Sequence, residues 1–274
     1  MAYGHLVMTL ATLGLKVKRV WFQHGPVSGW LDKLASLLPV DVILFNSRFL
    51  LSEHQRCNFD LYRSQKRIIR LGVDQLPATP SSTGRSKIEV LMVGRISPGK
   101  GFHVVLEALK TWVAAGEDWI HAFHFTLLGS ATSDGDRWYQ NKLEDLGKEI
   151  GPLLTLVPFS ADVSSHYARS EVLIQPSLAS EGFGLVLAEA MAAGLLVIGP
   201  TYGGGTEILR DGETGYGLDF KATEAPENLK TLLKKFHAAP DSFNAVRAHG
   251  KSLITETYTV REMMDQLNGI YGNL

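Results

Sequence analysis

Short apolar runs recur along the chain, and between the later ones apolar positions return at helical spacing. The runs "VWFQ" (20–23), "VILFN" (42–46), "RIIRL" (67–71), "IEVLMVG" (88–94), "HFTLLG" (124–129), "LLTLV" (153–157), "EVLIQP" (171–176) and "LLVIG" (195–199) read as strands. Helices are expected near 101–115, 136–150, 163–169 and 183–193, and the final "REMMDQLNGIYGNL" reads as one more. Uniformly apolar strands alternating with helices predict an α/β fold of parallel sheets covered on both faces. The stretch "QLPATPSSTGRS" (75–86) carries two prolines, three serines and two threonines and reads as a linker. Behind it lies a complete-looking unit to about residue 255. Ahead of it only three strand candidates are found, fewer than the five or six of an average sheet. No internal repeat is visible.

Composition narrows the function classes. The chain has 274 residues, 45% hydrophobic and 20% charged, ordinary for a soluble globular enzyme. A formal net charge of -1 gives no reason to expect nucleic acid as a partner. The basic clusters "KVKR" (16–19) and "RSQKRIIR" (63–70) read as solvated faces. A single cysteine, Cys57, allows no internal disulfide and no Cys/His zinc framework, which fits a reducing cytoplasm. No apolar run reaches the roughly 20 residues of a membrane span. In "MAYGHLVMTLATLGLKVKR" the basic residues follow the apolar run, the reverse of a secretory leader, so none is expected.

The chemistry begins at "VGRISPGKG" (93–101). From Gly94 to Lys100 it has the phosphate-loop spacing GxxxxGK, but Gly101 stands where a magnesium-binding hydroxyl belongs, and Pro98 removes one backbone N–H. No strand ends in the acidic residue that a nucleotide triphosphatase needs. Still, Arg95 offers a bidentate fork, Lys100 a point charge, and a following helix start a partial positive charge. Phosphate binding without a metal ligand is one reading; a pair of solvated cations is the other.

A second stretch, "EVLIQPSLASEGFGLVLAEAMAAGLLVIGPTYGGGTEI", places Glu181 in a loop after a strand and Glu189 in an otherwise apolar helix. A buried carboxylate must find donors. For Glu189 these are an arginine partner or its own helix start on a structural reading, or a ligand's hydroxyls on a functional one. Both acids lie beyond the C-terminal end of a parallel strand, where open α/β sheets bind ligands. Facing a loop with two cations, they suggest a ligand with hydroxyls at each end and phosphates between. "GFGLVL" approaches GxGxxG, but Leu187 replaces the third glycine. Glycines 203–205 allow close backbone approach to a ligand or simply a tight turn. His24 follows a strand end and is either functional or solvent-exposed. The other histidines lack metal-ligand spacing, and Trp112, Trp119 and Trp138 read as packing residues.

Together these stretches, with "FNSRFL" (45–50) and "LGVD" (71–74), resemble the retaining glycosyltransferases of family 4, which have the two-domain GT-B fold. Their mark is two glutamates separated by seven residues, here Glu181 and Glu189. Leu196 departs from the family, which usually has proline there. The resemblance implies that Arg95 and Lys100, with Gly94, hold the diphosphate of a nucleotide-sugar donor. It implies that Glu189 accepts the ribose hydroxyls, and that Glu181 with the backbone of Phe183, Gly184 and Leu185 holds the sugar and phosphate. His24 would lie across the cleft, and the base slot would fall near Pro158 and Phe159. No cofactor and no metal is expected. The acceptor (glycan, lipid-linked or small molecule) is unspecified, and the setting implied is cytoplasmic or peripheral to a membrane.

The organisation implied is a partial N-terminal, acceptor-side domain at 1–78, a donor-binding domain at 79–255, and a helix at 256–274 returning to the first. The family's front domain starts earlier than this chain does, so its first part is expected to be absent. Self-association or a partner chain through residues 1–75 is then expected. A nucleotide-sugar-binding half without activity, or dependent on a partner, is the alternative; a phosphate-loop nucleotide triphosphatase is a second.

Overall fold

A computed structural model describes residues 2–27, 29–58, 61–74 and 86–274. All but Ser86 of the expected linker at 75–86 lies outside the described residues. The front part runs α1 (Ala2–Ala11), β1 (Val20–Gln23), α2 (Trp30–Ser36), β2 (Val42–Phe45), α3 (Arg48–Cys57) and β3 (Gln65–Ile68). Then follow β4 (Ile88–Val93), α4 (Phe102–Ala114), β5 (Phe123–Leu128), α5 (Arg137–Ile150), β6 (Leu154–Val157), α6 (Ser164–Arg169), β7 (Val172–Ile174), α7 (Leu185–Ala193), β8 (Leu196–Pro200) and β9 (Tyr216–Leu218). Helices α8 (Ala225–Ala238), α9 (Asn244–Thr257) and α10 (Val260–Tyr271) end the chain.

Every named strand pair is parallel, as the apolar runs imply. The front sheet has the order β1-β2-β3 and the rear sheet β6-β5-β4-β7-β8-β9. The rear sheet buries both faces by strict alternation. Val90 and Met92 of β4 enter one core with Leu106 and Leu109 of α4 and Leu233 of α8; Leu91 and Val93 enter the other with Leu187 and Met191 of α7 and Ile254 of α9. Helix α5 buries Tyr139, Leu143, Leu146 and Ile150, a single stripe at helical spacing. In the front sheet Ile43 and Phe45 face α2 and α3, whereas Val42 and Leu44 face Met263, Leu267 and Ile270 of α10. The last helix thus returns across the chain to close the second face of the first sheet.

Helices α1, α2, α3, α8 and α9 were not among the expected ones, and two strands differ from the sequence expectation. The strand expected at 67–71 starts at Gln65 and ends at Ile68, because its pairing is dictated by β2, which stops at Phe45 opposite Ile68. It alternates between exposed and half-buried positions rather than being uniformly apolar. Strand β9 was not expected: its three residues follow a turn in "DGETGYG" and gain their order from pairing with β8.

The two parts are joined backbone to backbone. A side chain at Gly182 would begin 2.4 Å from the carbonyl oxygen of His24; behind it, within the rear part, one at Gly204 would begin 1.9 Å from the carbonyl oxygen of Gly182 and 2.9 Å from the Ser47 hydroxyl of the front part. Across the same seam the Glu207 carboxylate accepts from the Phe49 N–H in the first turn of α3, at 3.0 Å, where helix N–H groups lack partners within the helix. Further along, Val73 N–H donates to Tyr258 O at 2.8 Å, tying the crossing segment to the start of α10. The front sheet leaves β1 as an edge, and Tyr3, Met8 and Leu10 of α1, Leu13 and Leu15 after it, and Trp30 of α2 are exposed. A cavity of about 540 Å³ opens between α1 and β1, bounded also by Tyr271. No helix among the described residues is long and apolar enough to cross a membrane.

Because the obstacle at Gly204 is backbone and not a flexible side chain, Gly204→Ala should destabilise the chain by about 1–3 kcal/mol, the range for overpacking. That corresponds to a fall in Tm of about 2–4 °C per kcal/mol for a chain of this size. Gly269→Ala in α10, with nothing within 4 Å, should cost nothing. Scanning calorimetry of the two variants checks this, and equal behaviour would remove the argument from close backbone packing at Gly204.

Candidate functional site

The loop after β4 is fixed by glycines that no other residue could replace. The Gly94 carbonyl lies 1.9 Å from where a side chain at Gly129 would begin. Pro98–Lys100 forms a single 3-10 turn, and Gly101 closes it at φ 68, with the Pro176 carbonyl 2.0 Å from any β-carbon there. The N–H groups of Leu178 and Ala179 both donate to Gly99 O, at 2.8 and 2.9 Å. The loop after β4 is thereby clamped to the loop after β7.

This clamp delivers Lys100 to Glu181. The ammonium lies 2.7 Å from Glu181 Oε1, with each side chain about one-fifth exposed. The same oxygen accepts from Gln175 Nε2 at 2.6 Å and from the Ser177 hydroxyl. The Tyr202 hydroxyl donates to Ser177 O at 2.8 Å, and Lys221 lies over the Tyr202 ring at 4.0 Å. Burial, with Asp219 nearby, pushes the Tyr202 hydroxyl up to about 12, so at neutral pH it remains a donor. Arg95 is exposed.

Beyond Glu181 the chain turns through Gly182, Phe183 and Gly184 into α7. Gly184 at φ 87 gives this helix no side-chain cap, so its first N–H groups are available to an anion. Leu185, the first helical residue, is partly exposed and Phe183 is buried against the Tyr258 ring, 5.5 Å away. Glu189 follows one turn into α7. Its partner is neither of the structural alternatives: the Tyr167 hydroxyl of α6 donates to its Oε2 at 2.8 Å. Burial pushes the Glu189 carboxyl above the ordinary range, and the Tyr167 bond partly opposes this; Tyr167 itself is pushed strongly up by burial and by the carboxylate.

His24 lies across the seam. Its carbonyl abuts Gly182 and accepts from Asn46 Nδ2 at 3.3 Å; its ring stacks on Phe22 at 4.0 Å, and partial burial lowers its pKa, keeping it neutral near pH 7. At the other end, Phe159 is 75% exposed and its N–H donates to Ser130 Oγ at 2.9 Å. Pro158 lines a cavity of about 130 Å³ with Ile96, Ser130 and Gln140, so the residue after Arg95 and the residues after β6 share one recess. Glycines 203–205 serve backbone contact: Gly204 N–H donates to Glu181 O at 2.8 Å. Among the described residues no group of three or more His, Cys, Asp or Glu side chains could hold a metal ion.

The profile of the family Glycosyl transferases group 1 matches residues 80–246. The chain belongs to that family. Within it the chain is 34% identical over 134 residues to a lipopolysaccharide 1,2-N-acetylglucosaminetransferase of Salmonella typhimurium, covering 47% of this chain and 34% of that protein. It is 31% identical over 214 residues to a D-inositol 3-phosphate glycosyltransferase of Paenarthrobacter aurescens, covering 73% and 51%. The chain thus spans a third to half the length of these relatives. Its fold superposes on Anabaena HepE in complex with UDP and glucose with a TM-score of 0.87 at 19% identity, covering all of this chain and 76% of that one. It matches sucrose-phosphate synthase of Thermosynechococcus elongatus with a TM-score of 0.83 at 18% identity, covering 99% and 71%. The architecture is that of the GT-B glycosyltransferases.

Of the residues singled out in sequence, the structure brings Lys100 and Glu181 into contact and sets Gly94, Phe183, Gly184 and Leu185 beside them. It keeps Glu189 apart on Tyr167, Pro158 near Ile96, and Phe159 bonded to Ser130. Four partners went unnoticed in sequence: Gln175, Ser177, Tyr167 and Tyr202. For Gln175 a signal existed, since an amide ends an otherwise apolar strand six residues before Glu181.

The raised Glu189 carboxyl gives a pH dependence. In the folded chain it holds a proton that the unfolded chain has already released, so stability should fall as pH rises from the ordinary carboxylate range through the raised value, then level. Glu189→Gln should erase that segment. Tyr167→Phe should extend it to higher pH and cost about 1.5–3 kcal/mol at neutral pH, as for a hydrogen bond to a charged group. Urea unfolding across a pH series checks both; an unchanged slope in Glu189→Gln would assign it elsewhere.

Proposed function

We propose that the chain carries the donor site of a family 4-type, retaining transferase that moves a sugar from a nucleotide-diphosphate-sugar to an acceptor. The observation that carries this reading is the meeting of Lys100 with Glu181 directly before an uncapped helix, at the C-terminal ends of the rear strands. The names of the relatives and the UDP and glucose of the HepE complex support it. In this reading Arg95, Lys100 and the α7 N–H groups take the diphosphate, Glu189 the ribose hydroxyls, and Glu181 the sugar. Pro158 and Phe159 flank the base, and His24 approaches the sugar from the front sheet.

Breaking the sugar–phosphate bond leaves negative charge on the phosphate and an oxocarbenium-like sugar. Fixed cations and helix-start amides aimed at that phosphate supply the stabilisation. Glu181 is engaged by three donors and Glu189 by Tyr167, so neither is placed as a free nucleophile. Attack from the leaving-group face, with the departing phosphate taking the acceptor's proton, accounts for retention. The phosphate-loop triphosphatase alternative is disfavoured, because Gly101 supplies no hydroxyl for magnesium.

A second reading, a binding half that needs a partner chain or a second copy, draws on the β1 edge and the exposed apolar residues of α1 and α2. Such a surface should drive association. Analytical ultracentrifugation is expected to find the chain above monomer mass, and Leu10→Lys with Leu13→Lys to lower it. A monodisperse monomer would end this part of the proposal.

The donor reading itself predicts that UDP, GDP or ADP binds in calorimetry equally well with and without a chelator. Arg95→Ala and Lys100→Ala should each weaken that binding by about 1.5–3 kcal/mol, the scale of charge-assisted bonds, and leave the free nucleoside unaffected. Loss of binding on chelation, or equal losses for nucleoside and diphosphate, would overturn these assignments.

A further inference from the structure

The Lys100–Glu181 pair sets the site a problem that rests on the donor reading above. If Lys100 is to hold a diphosphate, it must leave Glu181, and Glu181 must not follow it. We propose that Gln175 and Ser177 are positioning residues that keep Glu181 in place while its cation is exchanged to the incoming diphosphate.

The geometry is asymmetric in a way that permits this. Lys100, Gln175 and Ser177 all converge on one carboxylate oxygen, Oε1, and the donors from Gln175 and Ser177 are themselves buried, at 2% and 0% exposure. Lys100 reaches the same oxygen from a side accessible to water. Each side chain of the pair keeps about one-fifth of its surface open to water, so a diphosphate with two or more charges can reach the ammonium and offer it a stronger partner. The two buried donors have no such exchange partner from solvent: the other acceptor near the Gln175 amide is the Ser177 hydroxyl, 3.5 Å away. The Gln175 amide turns its N–H to Glu181 although its own Oε1 is then buried with no partner, which identifies the carboxylate as what fixes the amide's orientation. Ser177 is held from behind by the bond from Tyr202 to its carbonyl. With Oε1 bound to this floor, Oε2 is the oxygen left to accept from a sugar hydroxyl. While no ligand is bound, the pair also hides the Glu181 charge from an arriving anion.

The exchange predicts effects of opposite sign. Glu181→Gln removes the competing partner of Lys100 and a negative charge beside the phosphate site, so the affinity for UDP should rise severalfold. Gln175→Met and Ser177→Ala leave Lys100 in place and should change UDP affinity by less than threefold. They should, however, reduce by at least tenfold whatever advantage UDP-glucose has over UDP, because the oxygen facing the sugar is no longer aimed. Ser177→Thr, which restores the hydroxyl, should recover most of that advantage. Calorimetry with UDP and UDP-glucose on wild type and these four variants, each first checked for a wild-type melting profile, supplies the readout. A Glu181→Gln chain that binds UDP more weakly than wild type overturns the exchange. Equal losses for both ligands in Gln175→Met and Ser177→Ala overturn the positioning role and leave the donor site standing. A wild-type chain that binds none of UDP, GDP and ADP overturns the donor reading and the exchange with it.

Discussion

The two sheets of this protein meet where the backbone of Gly182 lies directly against the backbone of His24. Gly182 meets the carbonyl oxygen of His24 across the seam, and behind it, within the rear part, Gly203 packs on Glu181 and Gly204 on Gly182, at distances that exclude any β-carbon. A seam of this kind cannot slide, because packed backbone has no rotamers to give. It therefore fixes where the C-terminal ends of the front strands stand relative to the start of α7. The bond from Phe49 N–H to Glu207 adds a directional tie at the start of α3, where the helix dipole favours a carboxylate. His24, Glu181 and the first turn of α7 inherit their mutual placement from this seam. Helix α10 reinforces it from outside by filling the second face of the front sheet.

Much of this was legible in the sequence, because the strands are apolar on both faces and seven of the eight expected runs lie within a residue or two of their expected bounds. Periodicity cannot locate a strand whose order comes from its neighbour. β9 has three residues and two of them, Tyr216 and Gly217, look like the end of a turn; pairing with β8 makes it a strand. β3 shows the same effect in reverse, since β2 ends before the apolar run "RIIRL" does, and the run's tail leaves the sheet.

For the site, residue type announced the charges but not their partners. Glu181 and Lys100 are 81 positions apart and meet only because Gly99 O receives two N–H groups from the loop after β7. Tyr167 and Glu189 lie on helices that follow different strands. A tyrosine in "SSHYARS" carries no mark of its role; folding buries the carboxylate, and the nearest hydroxyl becomes its donor. The glycine cluster at 203–205 was ambiguous for the same reason, since a turn and a close approach demand the same residue.

The two glutamates then differ by environment, not by type. Glu181 sits at a loop reached by water and takes a cation, so its charge is balanced from outside the core. Glu189 lies deeper, and its donor is a neutral hydroxyl, which satisfies one oxygen without cancelling the charge. A carboxylate left in that state is costly, as its raised pKa records, and the cost falls when further hydroxyl donors arrive. Lys100 stands beside Glu181 rather than beside Glu189, so on the proposed donor reading the diphosphate is drawn to the loop end and the ribose hydroxyls to Glu189 one turn into α7. On that reading the separation of charge within the site, rather than contacts to base or acceptor, sets the direction in which the ligand lies.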